Sequence, residues 1–266
     1  MRCDQGFHDE CGIFGVFDHT EAANITYLGL YALQHRGQES AGIASTDGNH
    51  VYVHRGMGYV ADIFNRMNLS ELVGFRSIGH VRYSTQGDSF IRNAQPVVVS
   101  CWRGPIAISH NGNLVNALEL RRDLEKMGSI FQTTSDSEVI VHLIAKTPDP
   151  DLIQALKSAL LQIKGAYSLL VMTRDYMIGV RDPHGFRPLV LGDLNGSPVL
   201  ASETCALDLI NASFVREIEP GEMVVIGNTG MVSHRLVAEQ MSAHCIFELI
   251  YFARPDSIIF NRSVYK

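Results

Sequence analysis

The chain has 266 residues, of which 46% are hydrophobic and 19% charged, with a formal net charge of −6. That length buries a full core, and that balance belongs to a globular chain rather than a disordered one. The negative charge offers no field for nucleic acid, and no apolar run approaches the ~18 residues of a membrane span, so both partner classes are set aside.

The first ten residues, MRCDQGFHDE, carry three acids and no apolar run of the kind a secretory signal needs. CGIFGVF, from Cys11, reads as a buried strand. AANITYLGLYALQHRG reads as a helix with Ile25, Leu28 and Ala32 on one face and Gly37 as its stop. SAGIASTDGNHVYVHR is a hairpin around an Asp-Gly turn. RSIGHVRYST, QPVVVSCW and GPIAISHNG are further strands, and NALELRRDLEKMG is an amphipathic helix ended by glycine. In SDSEVIVHLIAKT, Ser135 and Glu138 form a capping pattern at a helix start. TPDPDL enters another helix, and three hairpins follow, with turns rich in Gly, Asn and Asp. Hairpin-linked strands with helices inserted in blocks favour antiparallel sheets covered by helices over a doubly wound parallel sheet.

Cys11 has four possible fates: core thiol, disulfide half, metal ligand or nucleophile. The five cysteines (Cys3, Cys11, Cys101, Cys205 and Cys245) form no C-x-x-C pair, which in a chain without an export signal points to reduced thiols in a cytoplasm. A nucleophile needs a base. Eleven histidines are available, yet none is marked by its local sequence. The residue's own α-amine is another route: it titrates near ~7.7–8.0 against ~8.5 for a thiol, but it exists only if the Glu10–Cys11 peptide bond is broken. Gly12 would then let the chain approach a substrate closely.

Three polar clusters, QHRGQES, GHVRYST and SHNGN, with TTSDSE after them, stand at strand ends or helix entries. They offer arginines for a carboxylate, an Asn-Gly pair for an oxyanion and an aspartate for an ammonium, which together suit an amino-acid substrate. Taken singly, Asn111-Gly112 is equally a hairpin turn, Asp136 a helix cap and Arg82 a surface strand residue.

CGIFGVF, LQHRGQESAGI, GHVRYSTQG, SHNGNLVNALELR and TTSDSEV together resemble the glutaminase domain of class II glutamine amidotransferases, which are N-terminal-nucleophile hydrolases. Within that class, RDPHGFRPLVLG, ASETCALD, EIEPGEMVVI and CIFELIYFARPDS resemble the amidophosphoribosyltransferase branch. The resemblance implies an α+β fold, a four-layer α/β/β/α sandwich. It implies a propeptide at 1–10, a glutaminase domain at 11–240, and at 241–266 the start of a linker to a phosphoribosyltransferase domain absent from this chain.

By matching position, Cys11 is the nucleophile, and Asn111 and Gly112 form the oxyanion hole. Arg82 would bind the α-carboxylate of glutamine and Asp136 its α-ammonium, while Arg36, Gly37 and Thr85 would line or close over the substrate. Cys245 would be one ligand of a four-iron, four-sulfur cluster in the branch with a propeptide. The resemblance further implies phosphoribosyl pyrophosphate and Mg2+ as ligands of the missing half, and a homo-oligomer for the full-length form. Rival readings are a glucosamine 6-phosphate or asparagine synthetase type of amidotransferase, or a non-catalytic module of the same fold.

Overall fold

The computed structural model describes residues 11–83, 90–237 and 241–265. The expected propeptide and Thr85 lie outside them. Thirteen strands build two sheets. In chain order they are β1 (Cys11–Phe17), β2 (Ser40–Thr46), β3 (Val51–Met57), β4 (Arg76–Arg82), β5 (Val97–Cys101) and β6 (Gly104–Leu114). Then follow β7 (Gly165–Met172), β8 (Tyr176–Arg181), β9 (Val190–Leu194), β10 (Ser197–Ala201), β11 (Ser213–Glu217), β12 (Glu222–Gly227) and β13 (Gly230–Arg235). The first sheet runs β11-β9-β10-β1-β4-β2-β3 and the second β13-β12-β8-β7-β6-β5. Every pairing in both is antiparallel.

The helices are α1 (Ala22–Ala32), α2 (Val60–Ile63), α3 (Arg66–Glu71), α4 (Ala117–Lys126), α5 (Ser137–Lys146), α6 (Leu152–Leu160) and α7 (Cys205–Leu209). Apolar residues fall into three layers. One packs α1 and α7 on the first sheet, and another packs α4, α5 and α6 on the second. The third, with Ile13, Ile78, Ala107, Leu170 and Val224, fills the space between the sheets. The result is the expected four-layer α/β/β/α sandwich.

Two local expectations are corrected. The buried face of α1 is Ala22, Ala23, Thr26, Gly29, Leu30 and Ala32, while Leu28 is 37% exposed. Small residues decide this: a Cβ on Gly29 would lie 2.3 Å from the Phe14 ring, so the helix turns its flattest side to the sheet. At α5 the N-cap is Asp136, not Ser135. Glu138 instead accepts from the N–H groups of Gln132 and Thr133 and from the Thr133 hydroxyl, holding the loop before the helix.

Residues 244–261 pack against the body: Glu248, Ser257 and Ile259 are fully buried, and Phe260 stacks on His244 at 4.1 Å between ring centroids. A single π-helical turn (Glu248–Phe252) and a hairpin of β14 (Ile258–Ile259) with β15 (Arg262–Ser263) shape it. Its anchors are largely polar, because several of its apolar side chains, Ile246, Ile250 and Tyr251 among them, stay exposed. The Ser257 hydroxyl donates to Glu203 at 2.7 Å, Ile258 N–H to Thr204 at 2.8 Å and Asn261 N–H to Glu217 at 2.6 Å.

Candidate active site

Side chains alternate along a strand, so the layer between the sheets names its own continuation. From Ile13, Ile78 and Ala107, the same face carries Cys11, then His80 and Arg82, then Ser109 and Asn111. The register of β1 on β4 sets Cys11 directly opposite Arg82. His80 Nε2 lies 2.9 Å from the His110 carbonyl and ties the two sheets together at this end.

Asn111 is fully buried, and neither its side-chain nitrogen nor its oxygen has a hydrogen-bond partner among the described residues. Ser40, His80 and Ser109, on the same inner face, also carry partnerless buried polar atoms. Native interiors rarely leave so many such groups together, and a polar ligand is one way to satisfy them. Asn111 and Gly112 are not a hairpin turn; they lie inside β6, paired with Ser168 and Tyr167. Gly112 has φ +147°, and a Cβ there would meet the Ala166 carbonyl oxygen at 2.0 Å. Gly112→Ala is therefore expected to lower stability by about 3 kcal/mol or more through strain and overpacking, read as a fall in thermal midpoint. A wild-type midpoint would show that the strand opens freely there.

The Cys11 thiol donates to the Tyr83 carbonyl at 3.7 Å, and no histidine is its hydrogen-bond partner among the described residues. Burial pushes the thiol up to about 11, although Arg82 and Arg187 pull it down. His80 is no substitute base, because burial holds it to about 3. Burial opposes ionisation of Asp136 too, yet His110 and the N–H groups of Leu114 and Ser137 outweigh it and keep the carboxyl below its usual range. Asp136 Oδ2 accepts from Leu114 N–H at 2.9 Å, and Oδ1 lies 3.7 Å from His110 Nδ1. An anion thus stands at the end of β6.

Arg82 is 4% exposed and already donates to Glu39 at 2.5 Å, so a ligand carboxylate there joins or displaces Glu39. Gly37 packs on the main chain of Arg82, where a Cβ would come within 2.7 Å of its nitrogen, so its role is close backbone approach. Arg36, expected to line or close over the substrate, is a buried hub in this structure. It is fully buried, with Nε donating to the Cys11 carbonyl at 2.9 Å and Nη1 to Glu203 at 2.7 Å. Its Nη2 donates to both oxygens of Glu248, at 3.1 and 2.9 Å.

Glu39, Arg187, Glu203 and Glu248 are thus site neighbours that sequence reading passed over. For Glu248 a signal existed: one acid inside the apolar run IFELIYF cannot be buried without a cation.

His35, Glu203 and Cys205 bring ligand atoms within 4.8 Å of one another. A metal is a poor fit, because Glu203 already accepts from His35, Arg36, Arg254 N–H and Ser257. Those donors hold Glu203 to about 2 from an ordinary 4.5, against the opposing effect of burial. Its stabilising contribution is full above pH 4.5 and is lost as pH falls towards about 2. Urea unfolding near pH 6 and near pH 3 should show an acid loss that Glu203→Gln makes smaller; an equal loss in both proteins would place the acid lability elsewhere. Cys245 joins no group of three or more ligand atoms among the described residues, whereas an iron–sulfur cluster wants four thiolates, so these residues alone do not fit one.

Residues 80–209 match the profile of a glutamine amidotransferase domain. The chain carries a glutamine amidotransferase domain. An amidophosphoribosyltransferase of Rhizobium etli is 48% identical over 97% of the chain and 53% of its own length. Its counterpart in Bacillus subtilis is 47% identical over 98% of the chain and 55% of its own length. The solved glutamine phosphoribosylpyrophosphate amidotransferase of B. subtilis, complexed with ADP and GMP, superposes with a TM-score of 0.92 at 46% identity. That match covers 96% of this chain and 55% of the other. The chain therefore spans about half the length of the curated relatives it matches. No helix among the described residues is long and apolar enough to cross a membrane.

Proposed function

We propose that this domain hydrolyses glutamine to glutamate and ammonia through a thioester on Cys11. The observation that carries the reading is Asn111, whose buried amide lacks any partner on the face that also bears Cys11. Once the Glu10–Cys11 bond is cut, the new α-amine takes the thiol proton. The sulfur attacks the side-chain amide carbon, and the oxygen's developing charge is met by Asn111 Nδ2 and the Gly112 N–H. The amine returns its proton to the departing ammonia, and water then hydrolyses the thioester. Arg82 holds the α-carboxylate and Asp136 the α-ammonium.

The similarity to amidophosphoribosyltransferases supports a larger role: the glutaminase half of an enzyme that makes 5-phosphoribosylamine from phosphoribosyl pyrophosphate in purine synthesis, cytoplasmic and homo-oligomeric. Residues 1–10 are the propeptide. No residue of this chain is assigned to Mg2+ or phosphoribosyl pyrophosphate.

Intact mass and ammonia release, measured on one preparation, test the core of this. Protein that turns over glutamine should begin at Cys11; active protein still carrying residues 1–10 would eliminate the amine as base. Alkylation supplies a second check. With the thiol at about 11, roughly one uncleaved molecule in ten thousand is a thiolate at pH 7. Iodoacetamide should then modify uncleaved Cys11 about tenfold faster per pH unit up to that value, whereas the cleaved form should level off near ~8. Identical profiles would remove the amine from the mechanism.

A further inference from the structure

Glu248 is fully buried and closes a charge network that reaches the main chain of Cys11. Its carboxylate takes two hydrogen bonds from Arg36 and one from Arg187 Nη1, at 2.9 Å. Arg36 then donates through Nε to the carbonyl of Cys11. One side chain therefore separates the Glu248 carboxylate from the peptide group of the proposed nucleophile. The turn that carries Glu248 is pinned in its own right, because Ser257 and Arg254 N–H bind Glu203.

We propose that Glu248 is a positioning residue for Cys11, fixing through Arg36 the carbonyl of residue 11 and so the direction of the thiol and of the α-amine beside it. The proposal rests on the glutaminase reading of the site. Loss of Glu248 leaves Arg36 held by Glu203 on one nitrogen only and takes from Arg187 the carboxylate it donates to, so the Nε donor to the Cys11 carbonyl is less firmly oriented. Charge matters as well as direction. The charged groups acting on Cys11 are Arg82, Arg187 and Asp136, with Glu39 on Arg82 and His110 on Asp136. Glu248 faces Arg36 and Arg187, and the Phe252 ring lies 6.0 Å from the Arg187 guanidinium. Neutralising Glu248 leaves the pull of Arg187 on the thiol less opposed.

The test uses the full chain and four proteins: wild type, Glu248→Gln, Glu248→Asp and Glu222→Gln. The last breaks a separate pair, between buried Glu222 and the more exposed Arg216, as a control. Thermal unfolding, ammonia release and the pH profile of Cys11 alkylation are measured on each. Glu248→Gln should lower kcat about tenfold or more with KM held within about twofold, and should move the alkylation profile to lower pH. Glu248→Asp keeps the charge on a shorter arm, so kcat should fall while the profile stays with wild type. Glu222→Gln should leave kcat and profile unchanged. Folded Glu248 variants with wild-type kcat and profile overturn the proposal, as does a Glu222→Gln protein that shifts both equally. If Glu248→Gln does not fold, kcat of Glu248→Asp decides, a wild-type value counting against. If wild type itself releases no ammonia, the glutaminase reading has failed, and the alkylation profiles still judge the link from Glu248 to Cys11.

Discussion

Cys11→Ala is expected to abolish ammonia release from glutamine while the fold stays close to wild-type stability. No other group takes over, since the described residues place no second thiol on the inner face beside Asn111, and the three other described cysteines sit elsewhere. In hydrolases whose nucleophile acts with its base as a unit, removing the nucleophile alone costs on the order of 10⁶ in kcat. Stability should move by only about 1 kcal/mol, because one buried heavy atom is lost and the thiol's single long bond to Tyr83 is weak. The variant should also keep residues 1–10 if the thiol drives the cleavage, which intact mass reads. A diazo-ketone analogue of glutamine should label wild type at Cys11 and leave the variant unlabelled. Turnover that survives the substitution, or labelling at another cysteine, would end the thioester account and favour a non-catalytic module.

Asn111→Ala is expected to lower kcat by about 10²–10³, with KM for glutamine little changed, as befits a donor used chiefly on the transition-state oxygen. The same substitution should be nearly neutral in stability. Ordinarily, trimming a fully buried side chain opens a cavity and destabilises. Here the amide has no partner to lose, and leaving it unsatisfied costs about 1–3 kcal/mol in the wild type. Asn111→Leu, close in volume and wholly apolar, should therefore raise the thermal midpoint while remaining as inactive as alanine. Urea unfolding beside steady-state kinetics separates the cases: a large stability loss with modest kinetic change would make Asn111 a structural amide and leave the oxyanion to another donor.

Much of the scaffold was legible because its punctuation is local. Asp47-Gly48 and Asn195-Gly196 mark hairpins, and Gly48, Asn195 and Gly196 adopt the positive φ that such turns demand. The buried side of α1 was not legible, because it is chosen by the shape of Phe14 and the absence of a side chain at Gly29. Glu138 misled in another way: its spacing from Ser135 fits a cap, but three donors from residues 132 and 133 take its oxygens. At the site, Cys11, Arg82 and Asn111 were legible as residue types, and β1, β4 and β6 bring them to one inner face. The partners of Arg36 were not, since Glu203 and Glu248 lie 167 and 212 positions away and only the finished fold joins them.

The place of β1 in its sheet governs the order of events during synthesis. That strand sits between β4 and β10, and Gly15 pairs with Leu200. The earliest of the described strands to leave the ribosome thus waits for nearly two hundred further residues before both its edges are covered, and distant pairings of this sort form slowly. Arg36, which grips the carbonyl of residue 11, waits longer still, for Glu248. The proposed removal of residues 1–10 should accordingly be a late step of maturation, and nascent chains halted before residue 197 should retain them.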